Sequence, residues 1–341
     1  MFFIIFAHMK TKITSFIFFI FLCAISGNLK AQENATPLKG EGITAFLKRH
    51  GYTGKEAKDL FIEINKNKFG KDGGLLLGKT YTLPNPEAIA EVNEPKTINE
   101  PLFGKELENV TINSNELSDA CFYLVSGHGG PDPGAVTKVD GVELHEDEYA
   151  YDIILRLARN LMEKGATVHV IIQDSKDGIR DDKYLSNSNT ERCMGDAIPK
   201  NQGKRLKQRC DAINKLVKKD TGIYKRAIFV HVDSRRQKEQ IDVFLYHAPN
   251  STKGQKLADN IRKTIENKYN EHQPNRGFKG TVSDRGLYVL RKSDPVAAFL
   301  ELGNIQNEKD RKRLVLSSNR QALANWICLG IIADYKEMNN K

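Results

Sequence analysis

From residue 119 to the end of the chain, short apolar runs alternate with amphipathic segments, and this alternation is the feature that most limits the fold. Such alternation is typical of a sheet whose strands are covered by helices. We therefore predict one α/β domain over residues 119–338, with a single sheet flanked by helices. The predicted strands are CFYLVS, ATVHVIIQ, AIFVHV, IDVFLYH, GLYVLR and PVAAFLE, and the predicted helices cover residues 149–164, 205–219, 253–269 and 320–337.

Three of these predicted strands end at or next to a side chain of catalytic type. His128 follows the first, His231 lies at the end of AIFVH, and Glu301 ends PVAAFLE. Ligands of open α/β sheets bind at the carboxyl ends of the strands. One such histidine would more often be hydrogen-bonded than be a ligand, but three side chains at one edge predict a shared site.

A fourth side chain, Glu146, comes from the first turn of a predicted helix. The residues that share its helical face are apolar: Ala150, Ile153 and Leu157. Glu148 shares its face with more polar residues, so we expect it to face solvent, and Glu143 precedes the helix. Glu146 is therefore predicted to point inward, where a carboxylate without a partner would be costly.

Two imidazoles and one carboxylate with an open fourth position form a typical catalytic zinc set. We predict that His128, Glu146 and His231 bind one zinc ion. Glu301 is then available to take a proton from water and pass it to a leaving amine, which indicates amide hydrolysis. His145 is the alternative ligand in this region. The sequence does not identify residues that bind the substrate.

The first 31 residues have the order of a secretory signal peptide. Lys10 and Lys12 precede an apolar run at residues 16–25, and small and polar residues follow. The run is shorter than the roughly 20 residues of a transmembrane helix. We expect cleavage after Ala31, no stable membrane insertion afterwards, and export to the periplasm or cell envelope.

The meaning of the formal net charge of +9 depends on this predicted export. In an exported protein it indicates a solvated surface or attraction to an anionic envelope polymer, and no nucleic-acid partner is predicted. The basic run at residues 204–226 is interpreted as a solvated helix face. The cysteine spacing allows a disulfide between Cys193 and Cys210 but does not require one.

Residues 40–84 predict a small separate unit with a short strand, two helices and a closing strand. The unit resembles a LysM domain through GEGI at its start, Asn65 after the second helix, and GKTYTLP at its end. The resemblance implies binding of N-acetylglucosamine-containing glycans, whereas a small helical spacer is the alternative. Residues 85–118 are polar and aperiodic and are predicted to form a linker.

The larger domain resembles the zinc-dependent N-acetylmuramoyl-L-alanine amidases. The matching segments, in order, are GHGGPDPG, EDEYAYDIILRLA, FVHVDS, GLYVLR and ELGNIQN, over about 220 residues. The resemblance implies that His128, Glu146 and His231 hold zinc and that Glu301 is the catalytic acid/base. It also implies peptidoglycan as the substrate and cleavage between N-acetylmuramic acid and L-alanine, with release of stem peptides.

Two other functions are compatible with the same four residues. One is a peptidoglycan-binding protein with a weakly active amidase domain, and the other is a zinc peptidase of the cell wall. The sequence does not tell whether an activator protein is needed.

Overall fold

The computed structural model describes residues 33–86, 96–233 and 239–339. They belong to two compact units that divide between residues 94 and 95. None of the helices in these ranges is both long and apolar enough to span a membrane. The predicted signal peptide, residues 1–31, lies outside the described residues.

The first unit has a strand, two helices and a second strand, so the predicted order is confirmed. The elements are β1 (Asn34–Ala35), α1 (Ile43–Arg49), α2 (Lys55–Ile64) and β2 (Tyr81–Thr82), and β1 pairs antiparallel with β2. The first strand begins before residue 40. Buried Asn65 joins the elements, because its amide donates to the carbonyls of Phe61 and Thr82 at 3.0 and 2.8 Å.

The second unit contains a six-stranded mixed sheet. Its strands, in spatial order, are β14 (Thr281–Asp284), β13 (Phe244–His247), β15 (Val296–Asn304), β12 (Tyr224–Asp233), β5 (Ala120–Ser126) and β8 (Thr167–Val170). The strands β5, β8, β12 and β15 are parallel, whereas β13 runs antiparallel to β15. The strands of this unit are β3 (Thr97–Asn99), β4 (Asn109–Thr111), β5 (Ala120–Ser126), β6 (Val136–Val139), β7 (Val142–His145), β8 (Thr167–Val170), β9 (Ile172–Gln173), β10 (Arg192–Cys193), β11 (Asp196–Ala197), β12 (Tyr224–Asp233), β13 (Phe244–His247), β14 (Thr281–Asp284) and β15 (Val296–Asn304).

Helices cover both faces of this sheet, as the alternation predicts. Alternate residues of β5 point to opposite faces: Phe122 and Leu124 join one apolar core, and Tyr123 and Val125 join the other. Helices α3 (Glu146–Met162), α5 (Thr252–His272) and α8 (Ser317–Asn339) pack against the first core. Helices α4 (Gln202–Val217) and α6 (Tyr288–Lys292) pack against the second. The helices of this unit are α3 (Glu146–Met162), α4 (Gln202–Val217), α5 (Thr252–His272), α6 (Tyr288–Lys292), α7 (Glu308–Val315) and α8 (Ser317–Asn339).

The segment GLYVLR is not a strand, so that prediction is wrong. Residues Tyr288–Lys292 form the short helix α6, which buries Val289 and Leu290. The strand at the edge of the sheet is instead β14 (Thr281–Asp284), which is mostly exposed and therefore lacks an apolar pattern. A short apolar run is compatible with either a helix or a strand, and packing decides between them.

Of the predicted linker, residues 85–118, residues 87–95 lie outside the described ranges, and residues 96–118 belong to the second unit. The strands β3 and β4 form an antiparallel pair, and residues Pro101–Phe103 form a short 3-10 helix. Phe103, Val110 and Leu117 are buried in the same apolar core as helix α3. The few apolar residues of this polar segment are thus the ones that attach it to the domain.

Phe103→Ala is expected to destabilise the second unit by about 3–5 kcal/mol, because it leaves a cavity in a core where Phe103 is 1% exposed. The single tryptophan, Trp326, lies in α8 of this unit, so its fluorescence during urea unfolding reports on this unit. Exposed Lys105→Ala in the same segment is the control. Equal unfolding midpoints for the two variants would show that the segment adds nothing to the core.

All four cysteines among the described residues are free and buried: Cys121, Cys193, Cys210 and Cys328. The disulfide that the sequence allows between Cys193 and Cys210 is therefore absent from this part of the chain. Both of these thiols belong to the apolar core beneath α4.

Candidate metal centre

The candidate site lies at the carboxyl edge of the sheet, where β5 and β12 are neighbours. After β5 the next strand of the sheet is β8, on one side of this pair, and after β12 the next strand is β13, on the other side. In an open α/β sheet a crevice forms at the carboxyl ends of two adjacent strands where the strand order reverses in this way. The site residues come from the turn after β5, the start of α3 and the end of β12.

The turn after β5 brings His128 to this crevice in a strained backbone conformation. His128 itself has a φ of 56°, and Gly129 and Gly130 follow at 93° and 62°. A positive φ is uncommon for a residue other than glycine and often accompanies function. The His128 ring is held on one side by Asp132, whose Oδ2 lies 2.9 Å from Nδ1. The other ring nitrogen, Nε2, lies 3.2 Å from Oε2 of Glu146.

Two glycines of this turn are required by the close approach of the site side chains. A Cβ atom at Gly127 would lie 2.4 Å from the His231 ring. A Cβ atom at Gly134 would lie 2.6 Å from Oε2 of Glu146 and 2.7 Å from the His128 ring, and Gly134 has a φ of 70°. Any side chain at either position would displace a site residue.

Glu146 is the first residue of α3 and is buried with an exposed fraction of 4%. Its two carboxylate oxygens accept hydrogen bonds from the backbone amides of Ala135 at 2.8 Å and Val232 at 2.9 Å. Burial acts to raise the pKa of this carboxyl group. The hydrogen bonds from His128 and His231 outweigh that effect and hold the pKa well below its usual value, so the group is ionised. The predicted inward orientation is confirmed.

The expectation that Glu148 faces solvent is wrong. Glu148 is 1% exposed, and its Oε2 accepts a hydrogen bond from Arg180 at 3.0 Å. Arg180 belongs to the long segment between β9 and α4, which covers this side of the helix. Helical periodicity alone cannot reveal a face that a distant loop covers.

His231 and Glu301 lie side by side on the adjacent parallel strands β12 and β15. The His231 ring stacks on Phe299 with centroids 4.4 Å apart and 20° between the ring planes. Its Nδ1 lies 2.9 Å from Oε1 of Glu146. Phe299 and Glu301 are two residues apart on one strand and therefore face the same side, which puts the half-buried Glu301 beside the His231 ring.

Ligand atoms of His128, Glu146 and His231 all lie within 4.8 Å of one another, so these side chains could hold a metal ion. Zinc bonds of about 2.0–2.2 Å put the donors of a tetrahedral site roughly 3.3 Å apart. The nitrogen-to-oxygen distances of 2.9 and 3.2 Å in this cluster are close to that value. The donor set, and the distances from both histidine nitrogens to the Glu146 carboxylate, therefore fit zinc.

The other candidate histidines lie elsewhere. His145 precedes α3 and has Glu143 at 3.8 Å as its acidic neighbour, so the alternative ligand does not join the cluster. His169 stacks on Tyr123 and contacts Asp220. The Nδ1 of His247 lies 2.9 Å from the carbonyl oxygen of Ala248.

The profile of the protein family described as N-acetylmuramoyl-L-alanine amidase matches residues 123–333 of this chain, which include all four candidate site residues. The chain belongs to this amidase family. The match begins within β5 and ends within α8, so it covers the sheet and both helical layers of the second unit, which we call the amidase unit.

Individual relatives are distant. The germination-specific N-acetylmuramoyl-L-alanine amidase of Bacillus subtilis (strain 168) is 24% identical over 225 residues, covering 65% of this chain and 82% of that protein. The probable cell wall amidase LytH of Staphylococcus aureus is 27% identical over 228 residues, covering 65% of this chain and 60% of that protein. The solved CwlD amidase of Clostridioides difficile, in complex with the GerS lipoprotein, is 18% identical, with a TM-score of 0.47, covering 63% and 98% of the two chains.

Two arginines of the amidase unit support the His128 turn, and sequence analysis missed both. Arg205 pairs with Asp132, and Arg209 donates to the carbonyl oxygen of His128. Both are buried residues of α4 itself, so the interpretation of residues 204–226 as a solvated face is wrong at these positions. Their spacing of four residues, which puts both on one helical face, was the available signal.

The hydrogen bond between Asp132 and His128, a candidate zinc ligand, gives a testable expectation. Its hydrogen bond with His128, together with Arg205, lowers the pKa of Asp132 to about 2. Asp132→Asn keeps the shape but removes the charge, and we expect about 10–100-fold weaker zinc binding in a chelator competition. Exposed Asp211→Asn on α4 removes the same charge away from the site and should leave the affinity unchanged. Equal affinities for both variants would contradict a supporting role.

Proposed function

We propose that this chain is an exported zinc-dependent N-acetylmuramoyl-L-alanine amidase that acts on peptidoglycan. It hydrolyses the amide between the lactyl group of N-acetylmuramic acid and L-alanine and releases stem peptides. The observation that carries this proposal is the convergence of His128, Glu146 and His231 within 4.8 Å, next to Glu301, in a member of the amidase family.

In this proposal His128, Glu146 and His231 hold one zinc ion. When bound, the ion supplies Lewis-acid chemistry that activates water and polarises the scissile carbonyl group. Glu301 takes a proton from the attacking water and gives it to the nitrogen of the leaving L-alanine. Phe299 limits the movement of the His231 ring, and Asp132 orients the His128 ring.

Residues 1–31 are proposed as the signal peptide that directs the enzyme to the periplasm or cell envelope. The first unit is proposed as a LysM-like unit that binds the glycan strands of the substrate. Its order of strand, helix, helix and strand supports the proposal, as does the buried Asn65 that joins its second helix to its last strand.

Digestion of purified sacculi tests the proposal. We expect free stem peptides and intact glycan strands, identified by mass spectrometry, and we expect a chelator to stop their release. Shortened stems on intact muramic acid would instead indicate a peptidase. Retention on sacculi without any release would indicate a binding protein.

A further inference from the structure

A cavity of about 790 Å³ begins one strand away from the proposed catalytic glutamate. Its location follows from the register of three neighbouring strands. His231 on β12 is paired with Glu301 on β15, and Glu301 is paired in turn with Phe244 on β13. Phe244 lines the cavity. Paired residues of adjacent strands face the same side of a sheet, so the cavity begins one strand away from Glu301.

The wall of this cavity is fixed to the metal centre through Gln306. Gln306 lines the cavity and follows β15, and its amide donates to the carbonyl oxygen of Val136 at 3.0 Å. Thr137 donates to the side-chain oxygen of Gln306, also at 3.0 Å. Both partners lie on β6, in the hairpin that connects the His128 turn to Glu146. The cavity and the metal centre are therefore connected through this hairpin.

The cavity also has cationic groups available for a ligand. Lys279 and Lys309 line it and are exposed, and within the described ranges neither ammonium group forms an ion pair. Arg311 also lines it, although its guanidinium donates to the carbonyl oxygen of Ile305 at 3.2 Å. The lining includes two carboxylates, those of Glu239 and Glu308. Glu308 is paired with Lys312, which lies outside the cavity. The groups left for a ligand are thus mainly positive.

From this arrangement we infer that the cavity binds the stem peptide through its free carboxylates, with Lys279 and Lys309 as the anion-binding groups. The inference rests on the proposed function. A stem peptide whose amide nitrogen is at Glu301 has this cavity one strand away, and an uncrosslinked stem peptide ends in a carboxylate. Lys279 and Lys309 are thus residues that favour stems with free carboxylates over amidated ones.

Binding of the product peptide tests the inference without any need for turnover. The probe is a synthetic stem tetrapeptide, with free carboxylates or fully amidated, titrated into the full chain by calorimetry at low ionic strength. We expect the free acid to bind wild type about fivefold or more tightly than the amide, because exposed ion pairs contribute modestly and additively. Lys279→Gln combined with Lys309→Gln should remove this difference and leave binding of the amide unchanged.

The matched control is Lys253→Gln combined with Lys263→Gln, which removes the same charge from exposed positions of α5. This control should retain the preference for the free acid. Equal dissociation constants of wild type for the two peptides, or a preference that survives in the Lys279 and Lys309 variant, would overturn the inference. Failure of the proposed function is a separate result, because it is seen as no release of stem peptides from sacculi by wild type.

Discussion

Glu301→Gln is expected to lower kcat for the release of stem peptides by about 10²–10⁴-fold, the usual contribution of a general acid/base. The amide has nearly the shape of the carboxylate but cannot take a proton from water. Zinc should remain bound, because Glu301 is not among the three residues whose ligand atoms cluster within 4.8 Å. Release of stem peptides from sacculi over time, together with zinc content, is the measurement.

Glu266→Gln is the matched control for this variant. Glu266 lies on α5, where it pairs with Arg262 at 3.0 Å, and its loss should leave kcat unchanged. Two outcomes would contradict the role of Glu301. A rate equal to wild type would mean that another group transfers the proton, and loss of zinc along with activity would make Glu301 a ligand.

His231→Ala is expected to weaken zinc binding by roughly 300–1,000-fold and to abolish activity at ordinary zinc concentrations. Structural zinc sites gain about 10–16 kcal/mol in total, so the removal of one donor costs about 3–4 kcal/mol. Gly127 and Phe299 pack on this ring, so alanine leaves a gap where the nitrogen donor of the ring had been. Chelator competition measures the affinity, and Trp326 fluorescence shows whether the fold is kept.

His169→Ala is the control for this variant, since His169 also lies on a strand of the sheet and stacks on an aromatic ring, that of Tyr123. It should retain zinc and activity even if it loses some stability. Unchanged zinc affinity in His231→Ala would refute the ligand set, whatever the activity of the variant.

Much of the amidase unit follows from local patterns in the sequence. Apolar runs such as CFYLVS become buried strands because both faces of the sheet are covered, and strand ends of parallel neighbours meet at one edge. Helical periodicity suffices to turn Glu146 inward from the start of α3. These patterns depend only on neighbouring residues, so they predicted the sheet, its flanking helices and the residues that meet at its edge.

Prediction failed where a residue's environment comes from distant parts of the chain. Glu148 lies on a helical face that its own sequence marks as polar, yet the segment that carries Arg180 covers it. The segment at 96–118 is polar overall, yet Phe103, Val110 and Leu117 attach it to the core. GLYVLR has the composition of a strand, and only its packing against the second core makes it a helix.

The residues that converge on the site can thus be identified from the local sequence pattern, because strand ends and helix faces are local properties. The groups that hold them in place were decided by tertiary packing. Arg205 and Arg209 reach Asp132 and His128 across 73 and 81 positions of sequence, and they do so only because α4 packs against the face of the sheet beneath the His128 turn. The cationic cavity beside Glu301 likewise depends on the pairing of β13 with β15, which no local pattern specifies.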